Sequence, residues 1–223
     1  MRMASKTGTG TSSLDAALAK HRDALAACRG CGLHTLYGSL PVLPTARAPH
    51  VMLVGQAPGR TELSSGRSFQ GSAGRTLFRW LARAGVDEAT VRDRVHIAAV
   101  TRCYPGPSPS GRGDRVPSPA EQARCRGWLD AELRLIRPVL LIPVGRLAID
   151  TLLGRRPLAE LVGRRHEVTH VGGRSLAVPL PHPSGASSWV HEPGHAALLD
   201  AALALLGREL AAAGIPVAAE RAA

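Results

Sequence analysis

The chain has 223 residues, enough for one domain with a substantial core; 44% of them are hydrophobic and 20% are charged. Its longest apolar stretch, residues 196–206, is interrupted by Asp200 and is too short to cross a bilayer. No basic and then apolar leader opens the sequence. These features exclude fibrous proteins, membrane-spanning proteins and disulfide scaffolds, and we expect a cytoplasmic monomer without membrane contacts.

The charge of the chain points to a polyanionic partner. There are 28 Lys and Arg residues against 17 Asp and Glu residues, a formal net charge of +11. Such an excess favours nucleic acid as the partner. The alternative is a coding bias, because Lys6 and Lys20 are the only lysines in a chain rich in Ala, Gly and Arg. A bias towards these residues raises the charge without any function.

Apolar periodicity predicts one domain over residues 13–210, between a disordered tail, 1–12, and a flexible tail, 211–223. The predicted helices are 13–27, 73–84, 118–133, 146–153 and 193–210, and the predicted strands are 50–54, 95–100, 139–144 and 175–180. Short, continuous apolar strands that alternate with helices indicate an α/β fold with a parallel sheet covered on both faces.

In such a sheet the ligand lies outside the carboxyl ends of the strands. Three loops are expected to converge there: residues 55–59 after the first strand, 101–103 after the second and 182–185 after the fourth. The sequence therefore predicts a single site at this edge of the sheet.

Cys28 and Cys31 form a C-x-x-C pair, and Cys103 and Cys125 follow after a long gap. Because two structural disulfides are unusual in a reducing cytosol, we interpret the four thiols as metal ligands. Four thiolates can hold tetrahedral zinc or an iron–sulfur cluster. The alternatives are unrelated buried thiols and a redox C-x-x-C pair, which is weaker because no strand precedes it.

One well-known hydrolytic motif is present with Pro and Gly between its histidines, and two others are absent. Residues 191–195 spell H-E-x-x-H, the zinc-protease motif, but Pro193 and Gly194 stand between the histidines, and Pro belongs at the start of a helix. We therefore place His191 before the helix and reject a zinc site there. The chain has no G-x-x-x-x-G-K loop and no G-x-S-x-G elbow around Ser184, which disfavours nucleotide and ester hydrolysis.

Three motifs, taken in order, resemble a known family. They are G-Q-A-P-G-R-T-E at residues 55–62, G-R-S-F-Q-G-S-A-G at 66–74 and H-P-S-G at 182–185. With the four cysteines they resemble the uracil-DNA glycosylase superfamily over residues 28–210, and within it the iron–sulfur branches, types 4 and 5. The resemblance implies a three-layer α/β/α sandwich around a four-stranded parallel sheet. It also implies a [4Fe–4S] cluster on the following residues: Cys28, Cys31, Cys103 and Cys125.

The implied activity is hydrolysis of the N-glycosidic bond of uracil, and of other deaminated bases, in DNA, which begins base-excision repair. The target nucleotide must be flipped out of the base stack into a pocket. Phe69 matches the family residue that stacks on the flipped base, and His182 matches the histidine that hydrogen-bonds the base carbonyl as negative charge develops. A core phenylalanine and a structural histidine are the alternatives. The other residues expected around the base are Gly55, Ala57, Pro58, Gly59 and Ala99.

Two positions depart from the type 4 pattern. Gln56 stands where type 4 members carry the glutamate that activates water, and an amide can orient water but cannot accept its proton. Glu62 matches a later acidic position and is our candidate to substitute in part. Ala99 stands where type 4 members have the asparagine that reads the base edge. Both departures favour type 5, whose base selectivity is broader.

DNA contacts are expected around the loop after His182. Ala186 occupies the position of the leucine wedge of related enzymes, so we predict either that Trp189 serves as the wedge or that it packs on the last helix. The other predicted contacts are Ser184, Gly185, Ser187, Arg102, Arg112 and Arg115, with Arg124 and Arg126 nearby; a merely solvated basic surface is the alternative. Covalent attachment through a loop histidine, known in some mycobacterial relatives, is disfavoured because residues 105–117 contain no histidine.

Two rival functions follow from the same residues. Gln56 and Ala99 motivate a non-catalytic iron–sulfur module of the same fold that binds nucleic acid. A hydrolase of free nucleosides is the third hypothesis, and the positive charge disfavours it. We expect no lyase step, because no lysine lies near the predicted site to form a Schiff base.

Overall fold

The computed structural model describes residues 9–44, 49–110, 113–184 and 189–218, with side chains from residue 13 onwards. The helices in these ranges are α1 (Thr9–Ala26), α2 (Leu33–Tyr37), α3 (Arg60–Ser65), α4 (Ser72–Arg83), α5 (Glu88–Arg94), α6 (Pro119–Ile136), α7 (Arg146–Leu153), α8 (Leu158–Leu161) and α9 (His195–Ala212). The strands are β1 (Val51–Gly55), β2 (Val95–Ala99), β3 (Leu140–Pro143), β4 (His166–His170) and β5 (Gly173–Ala177), and a 3-10 turn covers Trp189–His191. None of the helices described here combines the length and apolarity that a membrane span needs.

The strands form one sheet in the order β2-β1-β3-β5-β4. The first four of these are parallel to one another, and β4 runs antiparallel to β5 at the edge. The expectation of four parallel strands is therefore corrected to five strands, mostly parallel. The polar sequence of β4, HEVTH, explains the difference: only Val168 is buried, so the strand lacks the continuous apolar run of the others.

Helices cover both faces of this sheet. β1 is buried along its whole length. Val51 and Leu53 lie in a hydrophobic cluster with α4, α5 and α9, whereas Met52 and Val54 lie in a second cluster with α1, α6 and α7. Because successive side chains of a strand point to opposite faces, the two clusters are the two sides of the sheet.

A capping box fixes the start of α6, the helix that carries Cys125. The Ser118 hydroxyl accepts a hydrogen bond from the Glu121 backbone N–H, and the Glu121 carboxylate accepts one from the Ser118 backbone N–H. This start agrees with the predicted one. In contrast, α1 begins at Thr9, ahead of the predicted start at Ser13, and α9 begins at His195 rather than at Pro193.

Candidate functional site

A cavity of about 340 Å³ opens at the carboxyl edge of the parallel strands. It is formed where the turn after β1, the segment before α4, the end of β2, the loop before α6 and the segment after β5 meet. Such a cavity is large enough for a small organic ligand. The predicted site residues that line it are Gly55, Gln56, Ala57, Pro58, Gly59, Glu62, Phe69, Ala99, Arg102, Arg115, His182 and Ser184.

The Phe69 ring packs against the backbone at the end of β1. Its Cζ atom would lie 2.9 Å from a Cβ atom at Gly55, so the missing side chain is what allows this close approach. Phe69 has a φ of 56°, in the left-handed region, and a Cβ atom at Gly74 would collide with its carbonyl oxygen. Arg92 donates hydrogen bonds to the carbonyls of Ser68 (3.0 Å) and Phe69 (3.4 Å). The ring is therefore held in place by its neighbours before any ligand enters.

Glu62 links the turn after β1 to the segment that carries Phe69 through hydrogen bonds to backbone N–H groups. Its Oε2 accepts a hydrogen bond from the Gly59 backbone N–H at 2.9 Å, and its Oε1 accepts from the N–H groups of Gln70 (2.7 Å) and Gly71 (2.9 Å). The residue is buried. Because both carboxylate oxygens already serve backbone donors, this placement speaks against Glu62 as the base that activates water. The Gly59 backbone N–H donates to Glu62 and is therefore not free to bind a ligand in the cavity.

His182 lines the same cavity as Phe69 and has a defined proton position. Gly145, with a φ of 84°, lets the imidazole come close, because a Cβ atom there would lie 2.8 Å from the His182 Cδ2. The Ser184 backbone N–H donates to Nδ1 at 3.2 Å, and the Ser184 hydroxyl lies 2.9 Å from the same atom. An amide can only donate, so we assign the proton of the neutral ring to Nε2.

Burial lowers the pKa of His182 below its ordinary value of 6.5. The imidazole is therefore neutral at neutral pH. Its Nε2–H is a donor without positive charge.

Gln56 and Ala99 reach the cavity from two neighbouring strands. Ala99 pairs with Gly55 in the parallel register of β1 and β2, which places it beside the residue that the Phe69 ring covers. Gln56 follows directly, and its carbonyl accepts the backbone N–H of Thr101 at 3.1 Å. The two positions that depart from the type 4 pattern thus lie in the site.

The further residues that line the cavity include three that were not predicted as site residues: Val42, Arg60 and Asp114. Arg60 is exposed at the first position of α3. Asp114 comes from the loop between Cys103 and Cys125, and a Cβ atom at Gly59 would lie 2.8 Å from its Oδ2. The only sequence signal for Asp114 is an acidic residue in a loop rich in Ser, Gly and Arg, which does not say where the loop folds.

The four cysteines come from three segments of the chain. Cys28 and Cys31 follow α1, Cys103 follows β2 and Cys125 lies in α6. All four are free thiols. Burial, together with the neighbouring thiols of Cys31, Cys125 and Cys28, raises the pKa of Cys103 to about 12. Burial also raises the pKa of Cys125, whose Sγ accepts the Arg102 backbone N–H at 3.3 Å. The thiols influence one another because they lie close together.

The four thiols are a candidate ligand set. Among the residues that the structure describes, no three Cys, His, Asp or Glu side chains are close enough to enclose a single metal ion. A structural zinc site draws four ligands around one atom, whereas an iron–sulfur cluster spreads its thiolates over several irons. Four thiolates are the donor set of either kind of site, one zinc ion or an iron–sulfur cluster.

Arg102 precedes Cys103 and points into the core. It is 2% exposed, and its Nη2 donates to Glu132 Oε2 at 2.5 Å. His21 and His96 also lie against the Glu132 carboxylate, at 3.1 and 3.2 Å. Burial alone would raise the pKa of Glu132, but Arg102, His96 and His21 lower it below its usual range. Arg102 therefore compensates a buried charge, which contradicts the phosphate contact predicted for it.

Of the other predicted arginines in the described residues, Arg115 and Arg126 are already partnered, and Arg124 is an exposed residue of α6. Arg115 donates to both oxygens of Glu121, at 2.6 and 2.8 Å, and this lowers the pKa of Glu121 to about 2. Arg126 donates to Asp130 at 2.7 Å. The remaining predicted DNA contacts, Arg112, Gly185, Ala186 and Ser187, lie outside the described residues.

Trp189 packs onto α9, the alternative to a wedge. Its ring stacks on His195, with centroids 4.1 Å apart and planes at 14°, and it lies against the core cluster that contains α9. His191 belongs to the 3-10 turn before α9, so it does not share a helix face with His195. This confirms the prediction that His191 lies before the helix.

Known proteins are similar to most of this chain. The family model described as Uracil DNA glycosylase superfamily matches residues 43–206. A type-4 uracil-DNA glycosylase of Archaeoglobus fulgidus is 31% identical over 163 residues, which are 70% of this chain and 76% of that protein. One of Thermotoga maritima is 29% identical over 157 residues, with the same shares. A type-5 uracil-DNA glycosylase of Mycobacterium bovis is 33% identical over 102 residues, 41% of this chain and 35% of that protein.

Proposed function

Because the chain belongs to the uracil DNA glycosylase superfamily, we propose that it hydrolyses the N-glycosidic bond of uracil in DNA and so begins base-excision repair. The observation that carries the proposal is a single cavity, about 340 Å³ in volume, that Phe69 and His182 both line. An aromatic ring and a neutral hydrogen-bond donor at one cavity are what an extruded nucleobase requires.

Phe69 supplies the stacking surface. A base inside a duplex cannot be reached, so its nucleotide must leave the stack, which costs a few kcal/mol. Stacking on an aromatic ring returns about 1–3 kcal/mol per base. The ring lies against Gly55, and Gly74 and Arg92 contact the backbone that carries it, so little ordering is needed when the base arrives.

His182 supplies the electrostatic stabilisation. When the bond between C1′ of the sugar and N1 of uracil breaks, the electron pair stays on the base, and negative charge develops on its carbonyl oxygen. Ser184 holds Nδ1 as an acceptor, so the Nε2–H is free to donate to that oxygen. A donor already in position strengthens its hydrogen bond as the charge grows and needs no reorganisation at the moment of reaction.

The DNA strand is held by the positive charge of the protein. The net charge of +11 favours a polyanion, and the exposed Arg60 at the cavity is one group that a phosphate next to the flipped nucleotide can approach. We propose a monofunctional enzyme, because no lysine is among the described residues that line the cavity.

We further propose that Cys28, Cys31, Cys103 and Cys125 hold a [4Fe–4S] cluster. The four free thiols from three segments support this assignment. When bound, the cluster supplies a structural cross-link between the end of α1, the loop after β2 and α6. That loop continues towards Asp114 and the cavity.

The test is base release from DNA. Oligonucleotides with one uracil, single-stranded or opposite guanine or adenine, are incubated with the protein and then with hot alkali, which cuts at abasic sites. We expect cleavage at the uracil position by the wild type and a large loss in His182→Ala. Parallel substrates with hypoxanthine and xanthine measure the selectivity that Gln56 and Ala99 leave open.

The contrary result is cleavage no greater than that of His182→Ala on every uracil substrate. Salt-sensitive DNA binding without base release would instead identify the non-catalytic module, which the absence of a carboxylate at Gln56 favours.

A further inference from the structure

We propose that Asp114 is the group that activates the attacking water, an inference that rests on the proposed glycosylase function. Hydrolysis needs a water molecule at the sugar C1′ and a base that takes its proton. Gln56 has no such base to offer, since an amide oxygen is a very weak acceptor of protons. The cavity must therefore supply the base from another residue.

The cavity contains two carboxylates among its described lining residues, Glu62 and Asp114. Glu62 accepts three backbone N–H groups, so its oxygens hold the turn together. The neutral His182 accepts at Nδ1 from Ser184 and carries its proton on Nε2, so it has no free lone pair for water. Within the described part of the chain, the Asp114 carboxylate makes no hydrogen bond or ion pair. Of these groups, Asp114 is the one whose lone pairs are all unused by the described residues, whereas Glu62 Oε2, beside the same Gly59 position, already accepts the Gly59 N–H.

Asp114 Oδ2 lies against the turn that also carries Gln56. A Cβ atom at Gly59 would come within 2.8 Å of this oxygen, so the absent side chain makes room for it. A water molecule between the Gln56 amide and the Asp114 carboxylate would be oriented by the first and deprotonated by the second. The two groups together perform what one glutamate at residue 56 would do.

The loop that carries Asp114 is anchored on both sides. Asp114 forms an antiparallel bridge with Pro107, and the Arg115 backbone N–H donates to the Gly106 carbonyl at 3.0 Å. The Arg115 side chain donates two hydrogen bonds to Glu121 at the start of α6. These contacts use the backbone of the loop and its neighbouring arginine, and they leave the Asp114 carboxylate free to face the cavity.

The reaction balances with water as the only co-reactant. The water oxygen forms a bond to C1′ while the bond between C1′ and uracil N1 breaks and its electron pair leaves with the base. The Asp114 carboxylate takes one proton from the water and then releases it to solvent or to the uracil anion. The products are an abasic deoxyribose with a hydroxyl at C1′ and free uracil.

The experiment compares Asp114→Asn with Asp93→Asn on single-stranded uracil DNA, with enzyme in excess and saturating. Asp93 is an exposed residue of α5, so its variant makes the same charge change away from the cavity. We expect Asp114→Asn to lose roughly 10²–10⁴-fold in the rate of base release. We expect Asp93→Asn to keep the wild-type rate, and both to keep DNA affinity and melting temperature. Adding Gln56→Glu to Asp114→Asn should recover part of the rate, since it returns a carboxylate to the same turn.

Equal base release by wild type and Asp114→Asn overturns this inference and leaves the glycosylase function intact. A slower base release by Asp114→Asn also overturns it if weaker DNA binding or a lower melting temperature of the variant accounts for the change in rate. No base release by the wild type overturns the proposed function and this inference with it.

Discussion

The protonation state of His182 is set by one contact and by burial, and both effects can be examined without any substrate. The Ser184 amide makes Nδ1 an acceptor, and burial lowers the pKa of the ring below 6.5. We expect ¹⁵N NMR of the histidine side chains to show His182 with a bare Nδ1 and a protonated Nε2 at pH 6.5, assigned by its absence in His182→Gln. A proton on Nδ1, or a titration midpoint at or above 6.5, would contradict the assignment.

The burial of His182 also has a consequence for stability. Because the pKa of His182 is lowered in the fold, protonation favours the unfolded chain, so the His182 contribution to stability falls as the pH drops below 6.5.

Phe69 is expected to act through its ring rather than through its backbone. Phe69→Ala removes the stacking surface, worth about 1–3 kcal/mol, and should slow uracil release roughly 5- to 150-fold. Phe69→Tyr keeps the ring and should stay near the wild-type rate. The measurement is single-turnover base release together with thermal melting. Equal rates for the two variants would show that the ring does not contact the base.

At this scale the sequence motifs predicted which residues reach the cavity but not what each one does there. Gly55, Phe69 and His182 were predictable because short motifs at the ends of strands converge in a parallel sheet. Glu62 and Arg102 were not, because a charged residue carries no sign of whether its partner is buried. Whether such a partner is buried depends on contacts between residues that are far apart in the sequence.

At the level of helices and strands, apolar runs predicted the four parallel strands. They could not predict β4, whose side chains alternate between exposed and buried and include two histidines. An edge strand with one covered face carries a weaker apolar signal than a central one. The missed strand does not affect the predicted site, because β4 lies at the edge of the sheet far from β2 and β1.

Glu132 ties three elements together: His21 on α1, His96 on β2 and Arg102 in the loop after β2 all meet its carboxylate on α6. Glu132→Ala leaves the Arg102 charge buried without its partner, so it should cost about 3–5 kcal/mol of unfolding free energy. The measurement is urea unfolding at pH 7.

The matched control is Glu167→Ala, which removes one half of an exposed ion pair with Arg174 and should cost at most about 1 kcal/mol. Similar losses of unfolding free energy in the two variants would show that the buried ion pair contributes no more to stability than the exposed one. Because the pKa of Glu132 is lowered in the fold, the wild type should also lose this contribution as the pH falls below 4.5.

For the whole molecule, the proposed cluster would cross-link the segment after α1 to the sheet and to α6. We expect the purified protein to be brown and to contain four irons per chain, and Cys103→Ala to lose iron and to melt at a lower temperature. Asp93→Asn is the control and should keep the full iron content. A colourless wild type with one zinc per chain would contradict the cluster assignment.

The account rests on a nucleobase entering the cavity that Phe69 and His182 line. The most direct measurement is a crystal structure with DNA that contains 2′-fluoro-2′-deoxyuridine, whose glycosidic bond resists cleavage. We predict that the uracil ring lies flipped in this cavity, stacked on Phe69, with a carbonyl oxygen within hydrogen-bond distance of the His182 Nε2. A uracil that stays in the base stack, or that binds elsewhere on the protein, would contradict the account.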